Sequence, residues 1–254
     1  MAVIITMSGK GSRLIDAGFT VPKYMITSRG KSLFEWSLLS LEAFFGQMFI
    51  FACLTSHDLD WIKNRISLLG IQNYIIIPRD NMSKGQAQTA YDVMHLIPNG
   101  EPIWIYNIDT FVSKGLIPLN FESVDGYVPV FRSSNPAMSF VRKNLENQVV
   151  EIKEKVPISD LATVGLYGFK NKELYIKSYY NTYLSIGQVE CLEKEEYIAP
   201  IYNSLLLDNR IIWAPLLDNE NVHPLGTPLE VLIFDDQTKP PIGSVINTTS
   251  GDDN

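Results

Sequence analysis

The first apolar stretch, Ala2–Met7, reads AVIITM, with no polar alternation, and it ends at a glycine-rich turn. Continuous β-branched runs of this length belong to strands buried on both faces, as in parallel sheets. The same signature recurs at Met48–Leu54 (MFIFACL), at residues 73–78 (NYIIIP) and at residues 102–109 (PIWIYNID), the last expected to end at Asp109. Helical patterns separate these runs. Residues 32–45 start with Ser32 and Glu35 in capping-box spacing and continue at helical period. Residues 58–70 open on Asp58 as a cap and close on Gly70. Residues 85–97 place Ala87, Ala90, Tyr91 and Met94 on one face. Strand alternating with helix predicts an α/β fold with a doubly wound, mostly parallel sheet flanked by helices.

The second half has a shorter rhythm. DGYVPVF, MSFVRK, QVVEIKEK and TVGLYGF read as strands broken by polar turns, followed by helices at 172–182 and 196–207 and a strand in RIIWAPLL. No Pro/Gly/Ser linker divides the halves, so this part is expected to extend the first sheet within one domain, residues 1–234. From Asp235 the sequence turns polar, through Pro240–Pro241 to NTTSGDDN, and a disordered tail is expected.

Composition narrows the function classes. A net charge of −7 over 254 residues argues against a chain-wide grip on nucleic acid, so local basic residues are read as site features. No apolar run reaches membrane-spanning length. The two cysteines, Cys53 and Cys191, form no CxxC and imply no disulfide framework, which fits a reducing, cytoplasmic setting. The three histidines, His57, His95 and His223, are scattered, which disfavours a zinc centre or a Ser–His–Asp enzyme.

Candidate chemistry starts directly after the first strand, in SGKGSRLIDAGFTVPKYM. Gly9 and Gly11 open a GxGxxG whose last position is Leu14, and GKS at 30–32 lacks the glycine a P-loop needs at Met25. A strand, glycines and then Arg13 and Lys23 still describe a phosphate cradle at the carboxyl end of a strand. They equally describe an ordinary turn with solvated cations. Asp109, at a strand end, is either a hard oxygen ligand suited to Mg²⁺ or a turn aspartate. Gly85 in KGQAQT sits at a loop-to-helix junction, and EIKEK (151–155) also fits a solvated edge strand.

Taken in order, GKGSRL, PKYM, GKSLFEW, KGQAQT, NIDTF, EIKEK, TVGLYGF and LGTPLEV resemble the nucleotidyltransferase family that makes nucleotide-activated sugars. That is the pyrophosphorylase branch of the Rossmann-like, glycosyltransferase-A-like fold, in its short form from capsule and lipopolysaccharide clusters. The resemblance spans residues 2–232. It implies transfer of a nucleoside monophosphate from an NTP to a phosphorylated acceptor, a sugar 1-phosphate, with release of pyrophosphate. By the same resemblance Ser8, Gly9 and Gly11 wrap the nucleotide phosphates. Arg13 stabilises the transferring and leaving phosphates, and Lys23 clamps their other side. Gly85 faces the base, which is read by groups around Arg79 and Gly85. Asp109 holds Mg²⁺, Glu154 and Lys155 bind the acceptor and its phosphate, and Gly165 lines the acceptor pocket. The family admits a homo-oligomer.

Two departures stand out. The family's Glu–Lys–Pro is here Glu154–Lys155–Val156, with Pro157 one place later. Many relatives carry a second metal-binding aspartate two residues before the glycine of LGTP, and here that place is Pro224. This keeps open a cytidylyltransferase for a non-sugar phosphate of the phosphocholine or phosphoglutamine kind, using CTP in capsule modification. A non-catalytic nucleotide sensor also stays open.

Overall fold

A computed structural model of the chain describes residues 1–9, 12–119, 121, 123–185 and 195–236, the side chains of Ser12 and Arg13 excepted. The first half runs β1 (Ala2–Met7), α1 (Ser12–Asp16), β2 (Thr27–Ser28), β3 (Lys31–Ser32), α2 (Leu33–Leu39), β4 (Met48–Leu54), α3 (Leu59–Leu68), β5 (Tyr74–Arg79), α4 (Gln86–Asp92) and β6 (Ile103–Tyr106). Short strands follow as β7 (Thr110–Val112), β8 (Gly126–Tyr127), β9 (Val130–Arg132), β10 (Ser139–Lys143), β11 (Val149–Glu154), β12 (Leu161–Thr163) and β13 (Leu166–Phe169). The remainder is α5 (Lys172–Tyr179), α6 (Ile201–Leu207), β14 (Ile212–Trp213), β15 (Val222–Pro224) and α7 (Pro228–Asp235).

Seven strands form the main sheet in the order β14-β8-β13-β6-β1-β4-β5. β1 pairs in parallel with β4 on one side and β6 on the other, while β13 is antiparallel to both β6 and β8. The chain therefore leaves β1 towards β5 and returns to the opposite side of β1 at β6. That reversal opens a crevice beyond the carboxyl ends of β1 and β6, the usual place for a ligand in an open α/β sheet.

The apolar run of β1 is fully buried because both faces are covered. Ala2 and Ile4 pack with Ala87 and Ala90 of α4 and with Tyr175 and Tyr202 of α5 and α6. Val3 and Ile5 pack with Phe34 and Leu38 of α2 and with Ile62 and Ile66 of α3. Each buried Val, Ile, Leu or Phe side chain among these contributes about 1.5–3 kcal/mol. The capping box of α2 is present: Ser32 accepts from the Glu35 amide, and the Glu35 carboxylate accepts from the Ser32 amide at 2.8 Å. Asp58 caps α3 by accepting from the Trp61 amide.

The second half corrects the sequence reading in several places. It extends the main sheet through β13, β8 and β14, but it also builds a separate four-stranded sheet, β11-β10-β12-β9. TVGLYGF is divided between the two sheets, because Gly165 turns at φ +80° between β12 and β13. The fourth long strand stops at Tyr106, which leaves Asp109 in the turn before β7. The helix expected at 32–45 breaks after Leu39 and resumes as a 3-10 turn, Glu42–Phe44. The helix expected at 172–182 passes into a π-helical turn, Tyr180–Leu184. The helix expected from Glu196 begins only at Ile201, after Pro200. Asp235, where the sequence reading starts its tail, closes α7 and accepts from Ser28 Oγ at 2.9 Å and from the Arg29 amide at 3.0 Å. Residues 237–254 and Cys191 lie outside the described residues. Cys53 is buried in β4, and burial pushes its thiol up to about 11. Among the described residues no helix is long and apolar enough to cross a membrane.

Candidate active site

A cleft of about 590 Å³ lies where the carboxyl ends of the parallel strands meet the four-stranded sheet. Each parallel strand sends residues into it: Ser8 after β1, His57 after β4, Gly85 after β5 and Asp109 after β6. Every strand of the small sheet contributes as well, through Phe131, Ser139, Glu154 and Thr163.

The phosphate end is arranged around Pro22–Lys23–Tyr24. Pro22 holds an extended backbone, and Lys23–Met25 form one 3-10 turn. Tyr24 is buried, its hydroxyl accepts from the Asp58 amide at 2.9 Å, and its ring packs on His57 at 4.7 Å. With Tyr24 anchored, Lys23 reaches across the cleft and its ammonium donates to Asp109 Oδ2 at 2.7 Å. Such a charge-assisted bond fixes both side chains where a polyphosphate would lie. Ser8 is buried and its hydroxyl donates to the Ala52 carbonyl at 3.3 Å, while Gly9 leaves open space beside it. Burial lowers the His57 imidazole below its usual range, so the ring is neutral at physiological pH. Gly11 and the Arg13 side chain lie outside what the structure describes.

Next to this end, the loop before α4 is clamped by residues 195–197. The Ala87 amide donates to the Glu196 carbonyl at 2.9 Å, and the Glu196 amide donates to the Lys84 carbonyl at 3.0 Å. A Cβ on residue 85 would lie 2.3 Å from the Glu196 carbonyl oxygen. Close backbone approach is therefore one reason for glycine at this position, in addition to any contact with a base. Gln86 Nε2 donates to Thr6 Oγ1 at 3.0 Å, and Thr6 donates to the Tyr106 carbonyl at 3.2 Å, which ties α4 to the ends of β1 and β6. Arg79 is not brought to the cleft. Its guanidinium pairs with Asp92 at 2.6 Å, and Arg79 does not line the cavity.

The far end is charged. Burial pushes the Glu154 carboxyl up from its ordinary range, while the bond it accepts from Ser139 Oγ and the Lys155 charge pull it down. Lys155 sits at φ +54°, a left-handed conformation that turns its side chain off the edge strand. Its ammonium donates to Tyr197 Oη and lies 3.9 Å from Glu195 Oε2. The edge-strand reading of EIKEK also holds: β11 borders its sheet, and Glu151 pairs with Arg142 on its outer side. Gly165 lines the cleft through its φ +80° turn.

Asp109 has a second acidic neighbour that sequence reading missed. A Cβ on Gly226 would lie 3.5 Å from Asp109 Oδ2 and 3.5 Å from Glu230 Oε2. Glu230 belongs to the capping box of α7, where Oε2 accepts from the Gly226 amide at 3.0 Å and the Thr227 amide at 2.8 Å. The sequence signal for it was the Thr227–Glu230 spacing. Pro224 lines the cleft nearby and offers no side-chain oxygen. Among the described residues no group of three or more His, Cys, Asp or Glu side chains is placed to hold a metal. A nucleotide-bound Mg²⁺ asks less, one or two carboxylates with substrate phosphates and water completing the shell, and Asp109 is the carboxylate here suited to that donor set, since Glu230 Oε2 is taken up by two capping amides. His57, Ser139 and Tyr197 also line the cleft without having been picked out by a motif, as does Gln86, which lies within KGQAQT but was not singled out.

No protein-family model and no curated protein sequence matches the chain. Solved structures do. The nucleoside-diphosphate-sugar pyrophosphorylase from Vibrio cholerae RC9 superposes with a TM-score of 0.84 at 33% identity, covering 91% of this chain and 98% of that one. The inositol-1-phosphate CTP transferase from T. maritima shares the fold, with a TM-score of 0.71 at 16% identity, covering 90% of each chain.

Proposed function

The chain belongs to the sugar-phosphate nucleotidyltransferase family, and on that premise we propose that it transfers a nucleoside monophosphate from an NTP to a phosphorylated acceptor. The observation that carries this reading is the two-ended cleft. One end has glycine, hydroxyl and lysine groups suited to a polyphosphate, and the other has a carboxylate and a second lysine suited to a polar phosphate.

An acceptor phosphate oxygen attacks the α-phosphorus. The bond from that phosphorus to the bridging oxygen of the β-phosphate breaks, and pyrophosphate departs with the electron pair. Both reactants are anions, so neutralisation and alignment dominate the barrier. Lys23 and Arg13 neutralise the reacting and leaving phosphates, Ser8, Gly9 and Gly11 wrap them, and Gly85 borders the base. Lys155 takes the acceptor phosphate and Glu154 its polar groups, with Gly165 shaping the wall. No general base is required, since a phosphate dianion is already nucleophilic near neutral pH. Asp109 would hold a nucleotide-bound Mg²⁺, which would supply positive charge to the phosphate oxygens.

The acceptor is a sugar 1-phosphate and the product a precursor of surface polysaccharide made in the cytoplasm. The test is pyrophosphate release from a matrix of CTP, UTP, dTTP, GTP and ATP against phosphorylated sugars and phosphorylated amines. Release that requires one NTP and one sugar phosphate together is expected. Release with a phosphorylated amine alone moves the acceptor to the non-sugar class, and nucleotide binding without release across the matrix refutes transfer.

A further inference from the structure

Residues 195–197 touch both ends of the cleft at once. Their backbone belongs to the nucleotide end: the Glu196 amide donates to the Lys84 carbonyl at 3.0 Å, and the Glu196 carbonyl accepts from the Ala87 amide at 2.9 Å. The Glu196 side chain is buried and accepts from Tyr179 Oη at 2.5 Å. The Tyr197 carbonyl accepts from Tyr183 Oη at 2.6 Å, and the next residue, Ile198, is buried. The side chains flanking Glu196 serve the acceptor end instead. Tyr197 Oη accepts from the Lys155 ammonium and donates to Glu195 Oε2, and the ammonium lies 4.3 Å from the centre of the Tyr197 ring. Lys155, Glu195 and Tyr197 all line the cleft.

The backbone of Lys155 is set by its left-handed turn and by its amide, which donates to the Met138 carbonyl at 3.0 Å. Its four-carbon stem is not set by the backbone, and a free lysine gives up that freedom each time it takes a ligand. Tyr197 removes the freedom beforehand. Because the phenol donates its proton to Glu195, its lone pairs face the ammonium, and the ring adds a cation–π attraction. Glu195 Oε2 lies 3.9 Å from the ammonium, beyond hydrogen-bond reach, so Tyr197 occupies one of three donors and the others are left for a phosphate. We propose that Tyr197 is the positioning residue for Lys155, holding the ammonium ready for the acceptor phosphate from a backbone already anchored to the nucleotide loop. This inference rests on the transfer reaction proposed above.

Steady-state pyrophosphate release compares wild type, Tyr197→Phe, Lys155→Met and the double variant, with acceptor and NTP varied in turn. Tyr197→Phe keeps the ring and removes only the hydroxyl. It should raise the acceptor KM by about tenfold or more, the weight of one hydrogen bond to a charged group, with the NTP KM and the Tm at their wild-type values. Added to Lys155→Met, it should lower the acceptor kcat/KM no further, since both substitutions remove one interaction. A purely structural Tyr197 would shift the Tm or the NTP KM and act equally in both backgrounds. Either result overturns the proposal, as does an unchanged acceptor KM. A second arm needs no turnover: reductive methylation of the free protein with formaldehyde and dimethylamine–borane, read at Lys155 by mass spectrometry against exposed Lys63. Tyr197→Phe should label at Lys155 faster than wild type does. If wild type releases no pyrophosphate, the transfer reading fails by itself, and the labelling still decides the role of Tyr197: equal rates in the two proteins overturn it.

Discussion

The two ends of the cleft are made of different materials. The end beyond the parallel strands combines backbone, hydroxyl and amide groups, at Ser8, Gly9, the clamped loop at Gly85 and Gln86 bonded to Thr6, with a paired charge, Lys23 held on Asp109. The end on the small sheet is mostly titratable: Glu154, Lys155 and Glu195, set against Tyr197. The first end follows from strand geometry and close approach, which under the proposed function would serve the phosphates common to all NTPs. The second end projects from short strands and turns, where sequence change alters the chemistry without disturbing the main sheet.

The largest break in this comparison should come from removing the fixed charge of the nucleotide end. Lys23→Ala is expected to lower kcat by roughly 10²–10³-fold, the range seen when a positioned electrostatic group is removed, with thermal unfolding near wild type. Steady-state kinetics beside a melting curve checks this. A smaller effect tests the clamped loop. Gly85→Ala forces a methyl into the Glu196 backbone and should destabilise by about 1–3 kcal/mol, the usual penalty for overpacking, read as a lower Tm. Unchanged stability would mean that residues 195–197 do not clamp the loop.

The smallest effect belongs to the titratable end. Burial raises the Glu154 carboxyl, so ionising it opposes folding. The stability present in acid is lost as the pH rises through the raised value. Glu154→Gln keeps an acceptor for Ser139 and removes that loss. Its Tm should exceed wild type at neutral pH, and the advantage should vanish in acid below the ordinary carboxylate range. Its acceptor KM should rise while nucleotide affinity holds. A Tm advantage independent of pH would contradict the burial argument.

Much of this architecture was legible in the sequence, and unevenly so. Ala2–Met7 and Met48–Leu54 match β1 and β4 to the residue, because continuous apolar runs between caps leave little choice of register. The caps at Ser32 and Asp58 were equally readable, since capping depends on local spacing. The small sheet was not, because three-residue strands such as β9 and β12 take their partners from distant chain. Residues at the ends of motifs reached the cleft: Lys23, Asp109, Glu154, Lys155 and Gly165 all line it. Arg79 does not line it, because it pairs with Asp92, a contact that depends on how α4 packs and is not readable from sequence. Glu230 and Asn107 went unnoticed although both stand inside stretches that carry the resemblance, LGTPLEV and NIDTF. One takes its place through a helix cap and the other through the glycine opposite it.

The central claim is that one cleft joins an NTP to a phosphorylated acceptor at Asp109. Acceptor-dependent pyrophosphate release, measured for wild type and Asp109→Asn under identical conditions, tests it most directly. The account predicts release by wild type only when NTP, acceptor and Mg²⁺ are all present, and a loss of about 10²-fold or more in the variant with the fold intact. Release that proceeds without acceptor, or at the wild-type rate in Asp109→Asn, would contradict it.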